Sequence, residues 1–234
     1  MIRATLIALA LALPLTAQAE CRQALALALD VSGSVDSREY VLQHQGLANA
    51  LRDPDVATAL LAMPATPVEL MVYEWSGPGS ARVLLPWRAI TSPAVLATAA
   101  AKIETIQRTG MPPDTALGAA MQYGITALAR RSCWQRTLDI SGDGKSNTGP
   151  LPAGFRAQAI AQNVTINALV IGSDARAVGN ARQVEIGELI AYFHANVIAG
   201  PSAFTEPVLG FADYEAAMTR KLKRELEGLA ISRR

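Results

Sequence analysis

The chain has 234 residues, with 21 Lys and Arg against 20 Asp and Glu for a net charge of +1, and only two cysteines and two histidines. At ~100 to 200 residues per domain this is about one domain's worth of chain, long enough to bury a large core. So even a charge balance gives no reason to expect a nucleic-acid partner, which would favour a strongly basic domain or face, and the locally basic C-terminus, Arg220, Lys221, Lys223, Arg224, Arg233 and Arg234, reads as a solvated helix face. No stretch beyond the N-terminus approaches the ~18 to 20 apolar residues of a spanning helix, which excludes stable membrane insertion.

Met1-Ile2-Arg3 precedes an apolar run from Ala4 to Leu15, broken by Pro14, and then Ala17-Gln18-Ala19. A basic start, a short apolar stretch and an A-x-A site predict a secretory signal peptide over residues 1–19. The rest, residues 20–234, is expected to be a single domain exported to the periplasm or beyond the cell. A lipoprotein reading of Cys21 is disfavoured by Gln18 and Glu20. Export puts Cys21 and Cys133 in an oxidising compartment, where pairing is the default.

The first predicted strand, Ala24 to Leu29, ends abruptly in Asp30-Val31-Ser32-Gly33-Ser34. Asp36 with Glu39 three residues on predicts a capping-box helix to about Leu51, stopped by Asp53-Pro54. Val68 to Trp75 reads as a strand and Ser76-Gly77-Pro78-Gly79 as a loop. Val83 to Trp87 follows too closely for a parallel crossover, so it pairs antiparallel, and Pro86 suits an edge. A helix from Ser92-Pro93 to Ile106 and a Gly/Pro loop to Thr115 precede a helix from Ala116 to Arg130, with Leu117, Met121, Ile125 and Leu128 inward. Arg136 to Ile140 is a strand closed by Ser141-Gly142-Asp143-Gly144. A helix (Phe155 to Gln162), a strand (Val164 to Ile171), a helix (Glu185 to His194), a short strand (Asn196 to Ala199) and a long helix from Phe211 complete the chain.

Strands alternating with helices predict an α/β fold: a doubly wound, mainly parallel sheet with one antiparallel edge strand and helices on both faces. In such sheets ligands sit outside the carboxyl ends of the strands, where Asp30 and Asp143 arrive together if their strands are neighbours. Cys21 lies nine residues before Asp30 and Cys133 ten before Asp143, so the same adjacency brings the cysteines side by side at the opposite end.

Asp30-x-Ser32-x-Ser34 after the first strand, Thr115 opening a helix after a Gly/Pro loop, and Asp143-Gly144 after a later strand resemble the metal-ion-dependent adhesion site of von Willebrand factor A (vWA) domains. The likeness spans about residues 22–230 and implies a vWA, Rossmann-like fold. It further implies that Ser32, Ser34 and Thr115 give hydroxyl oxygens to a metal, with Asp30 and Asp143 acting close by, often through water. Oxygen donors without His or Cys suit Mg²⁺, or Mn²⁺ or Ca²⁺. The resemblance also implies an open coordination place that an acidic residue of a partner protein fills. Departures from the pattern are Gly142 inserted before Asp143 and Pro112-Pro113-Asp114 before Thr115. The chain is similar to a little-characterised bacterial secreted subgroup with a Ser-Gly-Asp-Gly loop and a Glu74-Trp75-Ser76-like run. Glu74, Trp75 and Asp114 are candidate binding-surface residues; Trp75 alternatively covers the sheet edge beside Trp87.

Two rivals are weaker on their residues. Gly144-Lys145-Ser146 matches the end of a phosphate-binding loop, but Asp139 stands where the first Gly belongs and no helix opens at Lys145. A hydrolase lacks a Gly-x-Ser-x-Gly elbow, and His44 and His194, read as polar surface residues of helices, are not aimed at Ser32 or Ser34. Metal-assisted hydrolysis with Asp114 or Glu74 as base is the residual enzyme reading, and no enzymatic activity is expected. A scaffold whose metal site is vestigial is the remaining alternative.

Overall fold

A computed structural model describes residues 21–172 and 180–231; the proposed signal peptide lies outside them. Among the described residues six strands and seven α-helices follow one another as β1 (Gln23–Asp30), α1 (Ser37–Arg52), α2 (Pro54–Leu61), β2 (Val68–Trp75), β3 (Arg82–Ile90), α3 (Pro93–Glu104), α4 (Leu117–Ala129), β4 (Gln135–Gly142), α5 (Ala153–Ala161), β5 (Thr165–Ile171), α6 (Asn180–Asn196), β6 (Thr205–Val208) and α7 (Tyr214–Ile231). The sheet order is β3-β2-β1-β4-β5-β6. Only β3 runs antiparallel, at the edge, as its short connection and Pro86 predict. The chain steps from β1 to β2 on one side and returns to β4 on the other, so the β1/β4 seam is the switch point of the doubly wound sheet.

The Ala-Leu alternation of β1 sorts the two layers. Leu25, Leu27 and Leu29 enter the core shared with α1, α3 and α7, whereas Ala24, Ala26 and Ala28 face the core of α4 and α6. Small residues also let α4 approach closely: a Cβ at Gly124 would come within 2.6 Å of Leu138 Cδ1 and 2.7 Å of the Tyr73 hydroxyl. At the foot of the β1/β4 seam Cys21 and Cys133 form the expected disulfide, their Cα atoms 4.6 Å apart.

Three expectations need correction. Asp53-Pro54 does not merely stop a helix; Asp53 Oδ1 accepts the Asp55 and Val56 N–H groups and Pro54 opens α2, since proline's missing N–H costs nothing at a first helical position. Asn196 to Ala199 is not the last strand: α6 runs to Asn196, and Ala199 forms only an antiparallel bridge to Ile166. The chain turns at Gly200, whose φ of +98° favours glycine, and pairs with β5 at Thr205–Val208 instead. His44 is not a surface residue, being 2% exposed on the buried face of α1.

Candidate metal centre

Asp30 ends β1 with its side chain fully buried. Its Oδ1 accepts the Ser32 N–H at 2.9 Å, an Asx turn that bends the chain away from the sheet and brings the next hydroxyls back over the strand end. Ser32 Oγ lies 3.3 Å from Ser34 Oγ, and Ser34 Oγ donates to Asp143 Oδ1 at 2.7 Å. Residues 109 positions apart in sequence thus share one hydrogen bond, because β1 and β4 are neighbours. Asp30, Ser32, Ser34 and Asp143 are thereby brought together.

Thr115 reaches the same end of the sheet through backbone. Pro113 O accepts the Gly33 N–H at 2.8 Å, and Ser76 O accepts the Ala116 N–H at 2.9 Å. From the other side, Asn147 Oδ1 accepts the Thr115 N–H and Asn147 N–H donates to Thr115 O, each at 2.9 Å. Ser146 Oγ donates to Thr115 O at 3.1 Å and accepts the Leu117 N–H at 3.2 Å. Ala116 has no side chain able to cap α4, and Ser146 supplies the cap from 30 residues away in the chain's own later loop. The Gly-Lys-Ser run is therefore a support for Thr115 rather than a phosphate cradle.

Electrostatically the cluster is costly by itself. Burial pushes the Asp30 carboxyl up to about 8, and the neighbouring Asp143 charge adds to that, against the Ser32 hydrogen bonds that oppose it. Burial also raises Asp143, which the Ser34 hydroxyl partly offsets. Asp30 Oδ2 is buried with no hydrogen-bond partner among the described residues. A partnerless carboxylate oxygen, a second carboxylate and hydroxyl oxygens nearby form a donor set that fits a hard divalent cation, which relieves both the desolvation and the like-charge repulsion.

The glycine inserted before Asp143 has a steric cause. A Cβ at Gly142 would come within 3.0 Å of Phe193 Cζ, 3.6 Å of Asp30 Oδ2 and 3.7 Å of Trp75 Cζ2. The missing side chain lets Phe193 and Trp75 close directly beneath Asp30.

Of the candidate surface residues, only Asp114 is exposed. Trp75, 1% exposed, belongs to the apolar core under α4 and α6, and it lies neither on a binding surface nor at an edge, because β3 covers the flank of β2. Glu74, also 1% exposed, points to the other layer. Tyr40 Oη donates to its Oε1 at 2.5 Å, His44 Nε2 stands 3.1 Å from the same oxygen, and Arg82 Nε donates to Oε2 at 2.7 Å. Burial pulls Glu74 upward, but the His44 and Tyr40 hydrogen bonds and the His44 and Arg82 charges outweigh it and hold the carboxyl below its usual range. Arg108, unnoticed in the sequence, stacks on Tyr40 with its guanidinium carbon 5.5 Å from the ring centre, and donates to Val35 O at 2.6 Å and Val31 O at 3.4 Å. It clasps the backbone on both sides of the two serines.

Solved structures with this fold are distant in sequence. Proximal thread matrix protein 1 from the mussel byssus, in a structure with a zinc-occupied MIDAS motif, matches at 14% identity and a TM-score of 0.60 over 89% of this chain and 46% of that one. The vWF domain of the type V pili tip protein Mfa5 from Porphyromonas gingivalis matches at 9% identity and a TM-score of 0.60, covering 90% and 97% of the two chains. BatB from Bacteroides thetaiotaomicron, a conserved hypothetical protein, matches at 14% identity and a TM-score of 0.58 over 89% and 99%. No curated protein sequence matches. The fold is that of a vWA domain, and since the family model described as "Protein of unknown function (DUF1194)" matches residues 20–230, the chain belongs to the DUF1194 family.

Proposed function

We propose that the protein is an exported protein-binding module of adhesion or assembly type that works through a divalent cation. The observation that carries this is the buried, partnerless Asp30 Oδ2 set beside Asp143 and the Ser32 and Ser34 hydroxyls at the switch point of the sheet. Ser32, Ser34 and Thr115 supply hydroxyl oxygens, Asp30 and Asp143 supply charge directly or through water, and a remaining coordination place takes a carboxylate from the partner. An all-oxygen donor set favours Mg²⁺, with Mn²⁺ or Ca²⁺ as substitutes, over zinc, which prefers nitrogen and sulfur. The mussel protein with its zinc-occupied MIDAS and the pilus-tip vWF domain support the reading as neighbours in fold. Export is supported by the Cys21–Cys133 disulfide, and no described helix is long and apolar enough to cross a membrane.

The test is calorimetric titration of Mg²⁺ into chelator-stripped protein, alongside Ser34→Ala and Asp143→Ala. A saturable heat lost in both variants is the expected result. No heat and no thermal shift with Mg²⁺, Mn²⁺ or Ca²⁺ would leave a scaffold with a vestigial site.

A further inference from the structure

Around the oxygen cluster, four loop contacts repeat one device, a proline set against a glycine. A Cβ at Gly33 would come within 2.9 Å of Pro113 Cβ, one at Gly77 within 3.0 Å of Pro112 Cβ, and one at Gly149 within 3.3 Å of Pro78 Cγ. At Gly118 the obstruction would be the carbonyl of Pro150. Each pair joins two different segments: the β1–α1 loop to the α3–α4 loop, that loop to the β2–β3 turn, the turn to the β4–α5 loop, and the β4–α5 loop to α4. Gly149 has a φ of +76° as well as its close neighbours, so glycine is strongly favoured there. The loops interlock in sequence around Thr115.

All four prolines are exposed, and Leu151, next to Pro150, is 79% exposed. A rim of proline rings presents apolar surface, lacks N–H donors and loses little conformational entropy when covered. Asp114 is exposed beside Pro113 and carries the only acidic side chain between the prolines of that loop and Thr115. Its charge repels a second acid from an incoming ligand. A cation at the centre attracts one carboxylate; the proline collar around it offers contact to apolar groups, and Asp114 disfavours a further acid beside the α3–α4 loop.

We propose that this collar is a preformed docking rim for a protein segment presenting a single carboxylate flanked by apolar side chains, which seat on the prolines and Leu151. This deepens the metal-dependent reading above and rests on it. The loops change little on binding, because their interlocking already fixes them.

The test uses three N-acetylated, amidated tripeptides, Leu-Asp-Leu, Gly-Asp-Gly and Glu-Asp-Glu, titrated by NMR into the protein in saturating Mg²⁺ and again in chelator. Leu-Asp-Leu is expected to bind about tenfold more tightly than Gly-Asp-Gly, with Glu-Asp-Glu weakest and all three lost in chelator. Leu151→Ser is expected to cut the Leu-Asp-Leu advantage at least threefold by direct loss of apolar contact, roughly the effect of one to two methylenes, with Mg²⁺ affinity and Gly-Asp-Gly binding unchanged. Equal binding of the three peptides with Mg²⁺ affinity intact, or an advantage untouched by Leu151→Ser, overturns the collar alone. Failure of Mg²⁺ to bind overturns the metal reading and the collar with it.

Discussion

Asn147→Ala isolates the support of Thr115 from its chemistry. Asn147 contributes no atom to the proposed coordination, yet its Oδ1 accepts the N–H of Thr115, a buried residue. Deleting that acceptor removes a part-buried hydrogen bond worth ~0.5–1.5 kcal/mol, which for a domain of this size lowers Tm by roughly 1–6 °C. Removal of an outer-shell partner also lowers metal affinity by about 10–100-fold. Asn147→Asp keeps an acceptor in place and adds negative charge near the centre, so it should retain or raise Mg²⁺ affinity. Thermal melts give the first quantity and calorimetric Mg²⁺ titration the second. An Asn147→Ala protein with wild-type Tm and wild-type Mg²⁺ affinity would refute the idea that the β4–α5 loop holds Thr115 in place.

Replacing both cysteines by Ser removes a cross-link between residues 112 apart, and the chain-entropy estimate for a loop of that length is about 5 kcal/mol, an upper bound; urea unfolding with the midpoint unmoved would contradict it. Gly142→Val should destabilise by ~1–3 kcal/mol through overpacking against Phe193 and Trp75, and should weaken Mg²⁺ binding because Asp30 lies in the same contact; a wild-type Tm in the variant would show that the pocket relaxes freely. On β4, burial first and then the charge of Glu225 push the Asp139 carboxyl from 3.8 up to about 7, against the pull of Lys221, whose Nζ lies 2.7 Å from both acids. The folded form therefore holds a proton that the unfolded chain has released, so this group's contribution to stability falls as pH rises from about 4 to about 7. Asp139→Asn should flatten that slope in unfolding free energies measured across the window, and an unchanged slope would assign the pH dependence elsewhere.

The fold was legible because its signals are local and repeated. Alternating Ala and Leu in β1, the abrupt change to Asp and Ser at its end, and the short β2–β3 connection each dictate one feature, and each is found. The Asp36–Glu39 capping box also forms as its spacing predicts. What escaped notice depends on partners distant in sequence. Ser146 and Asn147 look like an ordinary turn until Thr115 is placed beside them; in the sequence Thr115 itself stands where a helix from Ala116 takes its cap, whereas α4 opens one residue later, at Leu117, with Ala116 at the cap position. His44 reads as a polar surface residue of a helix and Glu74, at a strand end, as part of a binding surface; only the convergence of Tyr40, His44, Arg82 and Glu74 shows how an interior carboxylate is compensated. Trp75 was placed by its position at a strand end, whereas the small residues opposite it, Gly142 among them, decide that it is buried.

The disulfide and the two acidic residues occupy opposite ends of the same pair of strands. Gln23 pairs with Gln135, and the bridged cysteines stand two residues before each of them, so the cross-link is in register with the ladder it terminates. Sliding one strand along the other by a single residue would shift its far end by ~3.3 Å and turn its side chains to the wrong layer. Tied at the base, the seam resists that shear, and the spacing of two carboxylates nine and ten residues along the chain is fixed by sulfur chemistry at the other edge of the molecule.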